Sequence, residues 1–276
     1  MKKNIFHVIA VHFLLITSLN ANVYITLVEG DITAQQFENN SQAALVNAAN
    51  DTMIGNAGVA YYIQKAAGDS AFRNYITTTF TGCPLCPTGQ ARLMPSLNIA
   101  HNGPAYIINT VGPDLKNPGT PDTNEKSLLE TAIKNSLTLA DAGQNTPTWL
   151  TPTGQHDSFH NQTHIITALA IPALSAGIFG YYSDLSAPVI INAIITYLEK
   201  TPDTKLAEIR IVTFGGYQGR NDYQNYAYAL HQTKKCTQVH LQDNTRLQLS
   251  LKKSSHNSTK PFLAYIVTTS LMPLPL

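Results

Sequence analysis

Leu45-Val46-Asn47-Ala48-Ala49-Asn50-Asp51-Thr52-Met53-Ile54-Gly55-Asn56-Ala57-Gly58-Val59 runs from an apolar strand through a small-residue turn into a helix. The strand, Ala43 to Val46, empties into two asparagines, Asn47 and Asn50. Gly55, Ala57 and Gly58 follow, and a helix opens near Val59. A strand, a glycine-containing turn and a helix start present bare backbone N–H groups and a positive helix end to an anion. The asparagines add neutral amide donors and acceptors, which suit hydroxyls rather than charge. Together they point to a ligand that carries both phosphate and sugar.

Outward from this turn, strand-like and helix-like segments alternate. Strands are expected over Val23 to Val28, Arg92 to Leu97, Ala105 to Val111, His164 to Ala170 and Glu208 to Phe214. Helices are expected over Thr33 to Ser41, Val59 to Ala67, Asp69 to Thr79, Ser127 to Ala142, Ser186 to Lys200 and Asn221 to His231. Gly68 separates the second and third of these, and Gly143 ends the fourth. The Ser127 to Ala142 helix places Leu128, Leu129, Ala132, Ile133, Leu137 and Ala140 at helical spacing. This alternation predicts a layered α/β domain with helices on both faces of a mainly parallel sheet. Its ligand is expected at the carboxyl ends of the strands.

Composition narrows the function classes. The 276 residues are 43% hydrophobic, enough for a buried core, and only 13% charged, with a formal net charge of +1. No basic run points to nucleic-acid binding by bulk electrostatics, and none is expected. Three cysteines do not make a disulfide framework. Cys83-Pro84-Leu85-Cys86 has redox-pair or half-zinc-site spacing without a second pair, so two unconnected thiols are expected. His156, His160 and His164 are spaced four apart, but among Pro, Gly, Asn, Gln and Thr rather than on a helix, so no metal and no cofactor are expected. His156 and His160 lie in a long polar connection, Gly143 to Thr163, with the only tryptophan, Trp149, and His164 directly follows it.

The N-terminus has the layout of a secretory signal peptide. Lys2 and Lys3 precede an apolar run from Ile5 to Ile16, then small and polar residues to Ala21. The run is too short for a comfortable membrane span, though it has the character of a buried strand. With a genuine signal the chain is exported or secreted; without one it is cytoplasmic. Asn50-Asp51-Thr52 is a glycosylation triplet within the proposed site, which fits bacterial-type export better than a glycosylating route.

Four ordered stretches resemble the macro domains, the ADP-ribose-binding modules. The Asn47-Ala48-Ala49-Asn50 loop is similar to theirs. Val28-Glu29-Gly30-Asp31-Ile32-Thr33 resembles their opening turn. Cys86-Pro87-Thr88-Gly89-Gln90-Ala91, followed by Ile107-Ile108-Asn109-Thr110-Val111-Gly112-Pro113, resembles their middle strands. Ile171-Pro172-Ala173-Leu174-Ser175-Ala176-Gly177-Ile178-Phe179-Gly180 resembles their second phosphate loop. The likeness covers Val23 to Leu230. It implies a three-layer α/β/α fold with a mixed, mainly parallel central sheet. The chain then divides into a signal peptide at 1–21, a macro domain at 22–231 and an extension at 232–276. Phe262 to Met272, in that extension, is apolar and reads either as an added strand or as a tail.

The resemblance also implies a site. Gly58, Val59 and the loop Ser175-Ala176-Gly177-Ile178-Phe179 would give main-chain amides to a diphosphate. Asp31 would accept from adenine, Ile32 would line the same end and Phe214 would wall it. Asn50 would hold the distal ribose with Phe179 packed against it, and Asn47, beside the strand, is placed more for structure than for contact. Asn50, Gly177 and Phe179 would carry any reaction. Where one hydrolytic branch has an aspartate, this chain has Ala60, and Asn56 and Ala57 replace glycines. Alanine can neither take a proton nor steer a water. Three functions follow from the likeness: a mono-ADP-ribosyl hydrolase acting on modified proteins, a reader of ADP-ribose or ADP-ribosylated proteins without turnover, and a hydrolase of an ADP-ribose-derived metabolite.

Overall fold

A computed structural model describes residues 21–80, 84–142, 164–214, 221–233, 246–252 and 262–267. The expected signal peptide up to residue 20, Cys83, Gly143, Trp149, His156 and His160 lie outside the described residues.

Among the described residues, eight strands form one sheet. They are β1 (Ala21–Glu29), β2 (Ala43–Ala48), β3 (Ala91–Pro95), β4 (Tyr106–Thr110), β5 (Ala168–Pro172), β6 (Glu208–Thr213), β7 (Arg246–Lys252) and β8 (Phe262–Val267). Their order is β3-β4-β2-β5-β6-β1-β7-β8. The five central strands, β4, β2, β5, β6 and β1, run parallel. β3 is antiparallel at one margin, and β7 and β8 are antiparallel at the other. The last two strands come from the 232–276 extension, so that region lengthens the sheet along β1.

Five α-helices among the described residues complete the layers: α1 (Gly58–Ala66), α2 (Asp69–Thr79), α3 (Thr123–Ala142), α4 (Ser183–Lys200) and α5 (Asp222–Gln232). Successive side chains of a strand point to opposite faces, which forces a sheet covered on both sides to be apolar throughout. β2 shows this directly. Ala43 and Leu45 join one core with Ile63, Phe72, Ile76 and Met94, under α1 and α2. Ala44 and Val46 join the other with Leu129, Ile133, Ile190, Ile194 and Tyr226, under α3, α4 and α5. The three-layer α/β/α arrangement expected from the sequence is the one observed.

The helix expected over Thr33 to Ser41 is absent. Two single 3-10 turns, Ile32–Ala34 and Asn40–Gln42, stand in its place. Asp31 and Asn39 each accept from a backbone N–H two residues on, so side-chain capping competes with a continuous helix. The strand expected from His164 begins only at Ala168.

Candidate functional site

Four neighbouring parallel strands release their carboxyl ends along one edge of the sheet. β2 leads into the 49–57 turn, β5 into the 173–182 loop, β6 into Phe214 and β1 into Asp31. At ~4.8 Å between strands, the outer two are about 14 Å apart. The Asn50 turn, the second glycine loop, Phe214 and Asp31 therefore follow one another in a line, in the order of an elongated ligand's parts.

The first two members of that line touch. A Cβ built at Gly58, whose φ is +62°, would sit 3.5 Å from Ile178 Cδ1. The start of α1 and the second loop thus close on each other, a meeting that the sequence order allowed. Ile178 is 69% exposed, Gly177 is exposed, and a Cβ at Gly177 would meet nothing within 4 Å. Val59 and Phe179 are half-buried. Ser175 and Ala176 are buried; Ser175 holds φ +62°, costly for a residue other than glycine. Its hydroxyl is buried with no hydrogen-bond partner among the described residues. The loop is held by Tyr181 N–H donating to Ser175 O at 3.0 Å and Leu115 N–H donating to Phe179 O at 2.9 Å. Gly112 gives it room, since a Cβ there would fall 2.1 Å from Ser175 Oγ.

The first loop is organised by Asn50. Its half-buried side chain donates from Nδ2 to Ile54 O at 2.9 Å and accepts at Oδ1 from Thr52 Oγ1 at 2.9 Å. Met53 N–H donates to Asn50 O at 3.0 Å, with Met53 fully buried at φ +57°. An amide has two donors and more than one acceptor lone pair, so Asn50 keeps capacity for a ligand.

At the far end, Asp31 is exposed and Ile32 buried. Thr33 N–H and Thr33 Oγ1 both donate to Asp31 Oδ1, each at 2.8 Å. Asp31 is thus a cap as well as a candidate acceptor. Phe214 is 63% exposed, so it is not core. Gly30 N–H donates to Thr213 O at 2.8 Å and binds these two strand ends together.

Asn47, included in the expected ligand-binding set but read as placed more for structure, has a structural partner. It is 0% exposed, and its Nδ2 donates to Asn109 Oδ1 at 2.8 Å on the neighbouring strand. Within the sheet this buried pair ties β2 to β4. The cysteine motif is also inert where described: burial pushes the Cys86 thiol up to about 12, so it carries no thiolate near neutral pH. Among the described residues, no three His, Cys, Asp or Glu side chains gather as a metal site would need, and no helix is long and apolar enough to cross a membrane.

The profile of the Macro domain matches residues 46–190. The chain belongs to the macro domain family. A macro domain-containing protein of Listeria monocytogenes is 29% identical over 190 residues, 69% of this chain and 89% of that protein. The ADP-ribose glycohydrolase MACROD1 of Bos taurus is 29% identical over 182 residues, 66% of this chain and 45% of that protein. Among solved structures, a point mutant of the Oceanobacillus iheyensis macrodomain with ADPR superposes with a TM-score of 0.55 at 24% identity, covering 78% of this chain and 100% of that one. That likeness shows the shared macro-domain fold.

The sequence reading missed Gln64 on α1 of this macro domain. It is fully buried; its Oε1 accepts from Gly55 N–H at 2.9 Å and its Nε2 donates to Asp69 Oδ1 at 2.5 Å. The signal was available. Gln64 falls on the helix face of Ala60, Ile63 and Ala67, where an unpaired amide would cost about 1–3 kcal/mol.

Proposed function

We propose that this macro domain binds ADP-ribose along its sheet edge and removes it, as a single unit, from modified protein side chains. The observation that carries the reading is the linear order of the four strand ends, with the two loops closed on each other at Gly58 and Ile178. The distal ribose would lie at Asn50, the diphosphate between Gly58-Val59 and Ser175 to Phe179, and adenine between Phe214, Ile32 and Asp31. The name of the bovine relative, an ADP-ribose glycohydrolase, and the ADPR in the Oceanobacillus structure support the ligand class.

In this reading a water held by the substrate's own diphosphate attacks the anomeric carbon of the distal ribose. A carbon–oxygen bond to that water forms as the bond to the protein carboxylate breaks, and the water's proton ends on the released acid. Asn50 fixes the ribose, and Gly177 with Phe179 closes over it. Ala60 is buried at the start of α1 and offers no base. Without that base the rate falls by about a hundredfold or more.

A second reading, binding without turnover, draws on the same Ala60 and on Asn50's commitments within its own loop. A third, hydrolysis of ADP-ribose 1″-phosphate or O-acetyl-ADP-ribose, uses the same cradle. Incubation with a mono-ADP-ribosylated protein over hours separates them. Slow release of label, abolished in Asn50→Ala, supports the hydrolase. Stable label beside tight ADP-ribose binding supports the reader, and release only from the small esters supports the third.

A further inference from the structure

The peptide group joining Ile54 to Gly55 is gripped from both sides. Its carbonyl accepts from Asn50 Nδ2 at 2.9 Å, and its N–H donates to Gln64 Oε1 at 2.9 Å. Gly55 lies flat on the first turn of α1, where a Cβ would come within 2.4 Å of Ala60 C and 2.7 Å of Tyr61 N. No side chain can intervene, so the N–H reaches straight down to Gln64. Gln64 is fixed in turn, because Asp69 Oδ1 accepts its Nε2 at 2.5 Å. Asp69 is itself held by Lys65 Nζ at 2.7 Å and Arg73 Nε at 2.9 Å.

We propose that Gln64 is a positioning residue for Asn50, acting through this one peptide group. An amide side chain presents two chemically different ends, and its neighbours decide which end points where. With the 54–55 carbonyl locked toward Asn50, Nδ2 must face it. Oδ1 and the second Nδ2 proton are then left in a single orientation for the distal ribose. A Gln64 unable to accept lets the 54–55 peptide rotate, and Asn50 loses the acceptor that sets its orientation. Asp69 fixes the amide of Gln64 the same way, by demanding a donor and leaving Oε1 for Gly55. The chain Asp69, Gln64, peptide 54–55, Asn50 thus runs from the helix corner to the site, and every link has one polarity. The inference rests on Asn50 serving the site as proposed above.

The test pairs Gln64→Met, which keeps the volume and removes both amide functions, with Asn50→Ala and the double variant. Turnover of a mono-ADP-ribosylated protein is followed with hydrogen exchange of the Gly55 N–H and of the Asn50 side-chain amide in the ligand-free protein. Gln64→Met is expected to lower kcat about tenfold with KM changed less than about threefold, the scale of one lost hydrogen bond at a buried donor. In the Asn50→Ala background it should do nothing further, because residues in one network are not additive. Exchange at Gly55 and at Asn50 should quicken in Gln64→Met. Should Gln64→Met fold poorly, Asp69→Ala, at a more exposed position, loosens Gln64 from beneath and should quicken the same two amides, while Asp69→Asn, which keeps an acceptor, should restore them. Additive losses in kcat, or unchanged exchange at Asn50, would overturn the inference. If wild type turns nothing over, the hydrolase reading fails, and the exchange at Asn50 still decides this one.

Discussion

At the scale of single residues, glycines divide by what surrounds them. A Cβ at Gly177 meets nothing within 4 Å among the described residues, so a side chain there is expected to leave the fold intact and to fill the proposed cradle instead. Gly55 has no such room. Gly55→Ala would drive a methyl into the backbone of Ala60, and a loss of about 1–3 kcal/mol in denaturant unfolding is expected. A change below about 0.5 kcal/mol would mean the turn does not lie on α1 as described. Asp69 gives a prediction in pH. Hydrogen bonds from Lys65, then Arg73 and Gln64, hold its carboxyl down from 3.8 to about 2. A folded-state value below the unfolded one contributes stability that is present above pH 3.8 and lost as pH falls toward 2. The stability difference between wild type and Asp69→Asn should therefore shrink through that window. A difference constant from pH 5 to pH 2 would contradict it. Asp31 was legible as both cap and candidate acceptor, and the structure shows the cap. Gln64 was not singled out, because a single glutamine on a helix gives no motif until its partners are seen.

Elements were legible where apolar periodicity was strong. Gly68 breaks α1 from α2 where the sequence placed the break, with φ +90° at that glycine. The start of α3 was placed four residues late, since Thr123-Asn124-Glu125-Lys126 carries no apolar repeat. Polar chemistry sets that start. Glu125 N–H donates to Asp122 Oδ1 at 2.7 Å, and Asp122 N–H donates to Glu125 Oε2 at 2.8 Å, a reciprocal capping box. Asp122→Ala is expected to fray this first turn and cost about 1 kcal/mol, read from thermal unfolding with amide exchange at residues 123–126. Unchanged exchange there would show that packing, rather than the cap, holds the helix end. The Thr33 to Ser41 segment went the other way. Its residues allow a helix, but Asp31 and Asn39 turn their caps inward, and two short turns result.

At the scale of the whole molecule, the parallel sheet followed from the alternation of elements, and the site followed from the sheet. Sequence order alone placed two loops at strand ends; strand order, which no local pattern reveals, made them neighbours through β2 and β5. The same order separates the placement of two of the expected site residues. Asn47 lies one pleat inside the sheet and pairs with Asn109, while Phe214 leaves the end of β6 into solvent beside Asp31's strand. β8 begins the Phe262 to Met272 run, which the sequence left open between strand and tail because a short apolar run fits either, while the sequence carried no reading for β7.

The central claim is that this edge cradles ADP-ribose. Calorimetric titration of ADP-ribose into wild type and Gly177→Glu tests it most directly, with circular dichroism to compare their folds. A saturable heat for wild type, absent from an equally folded Gly177→Glu, is the result predicted here; no heat for wild type, or equal affinity in both, would contradict it.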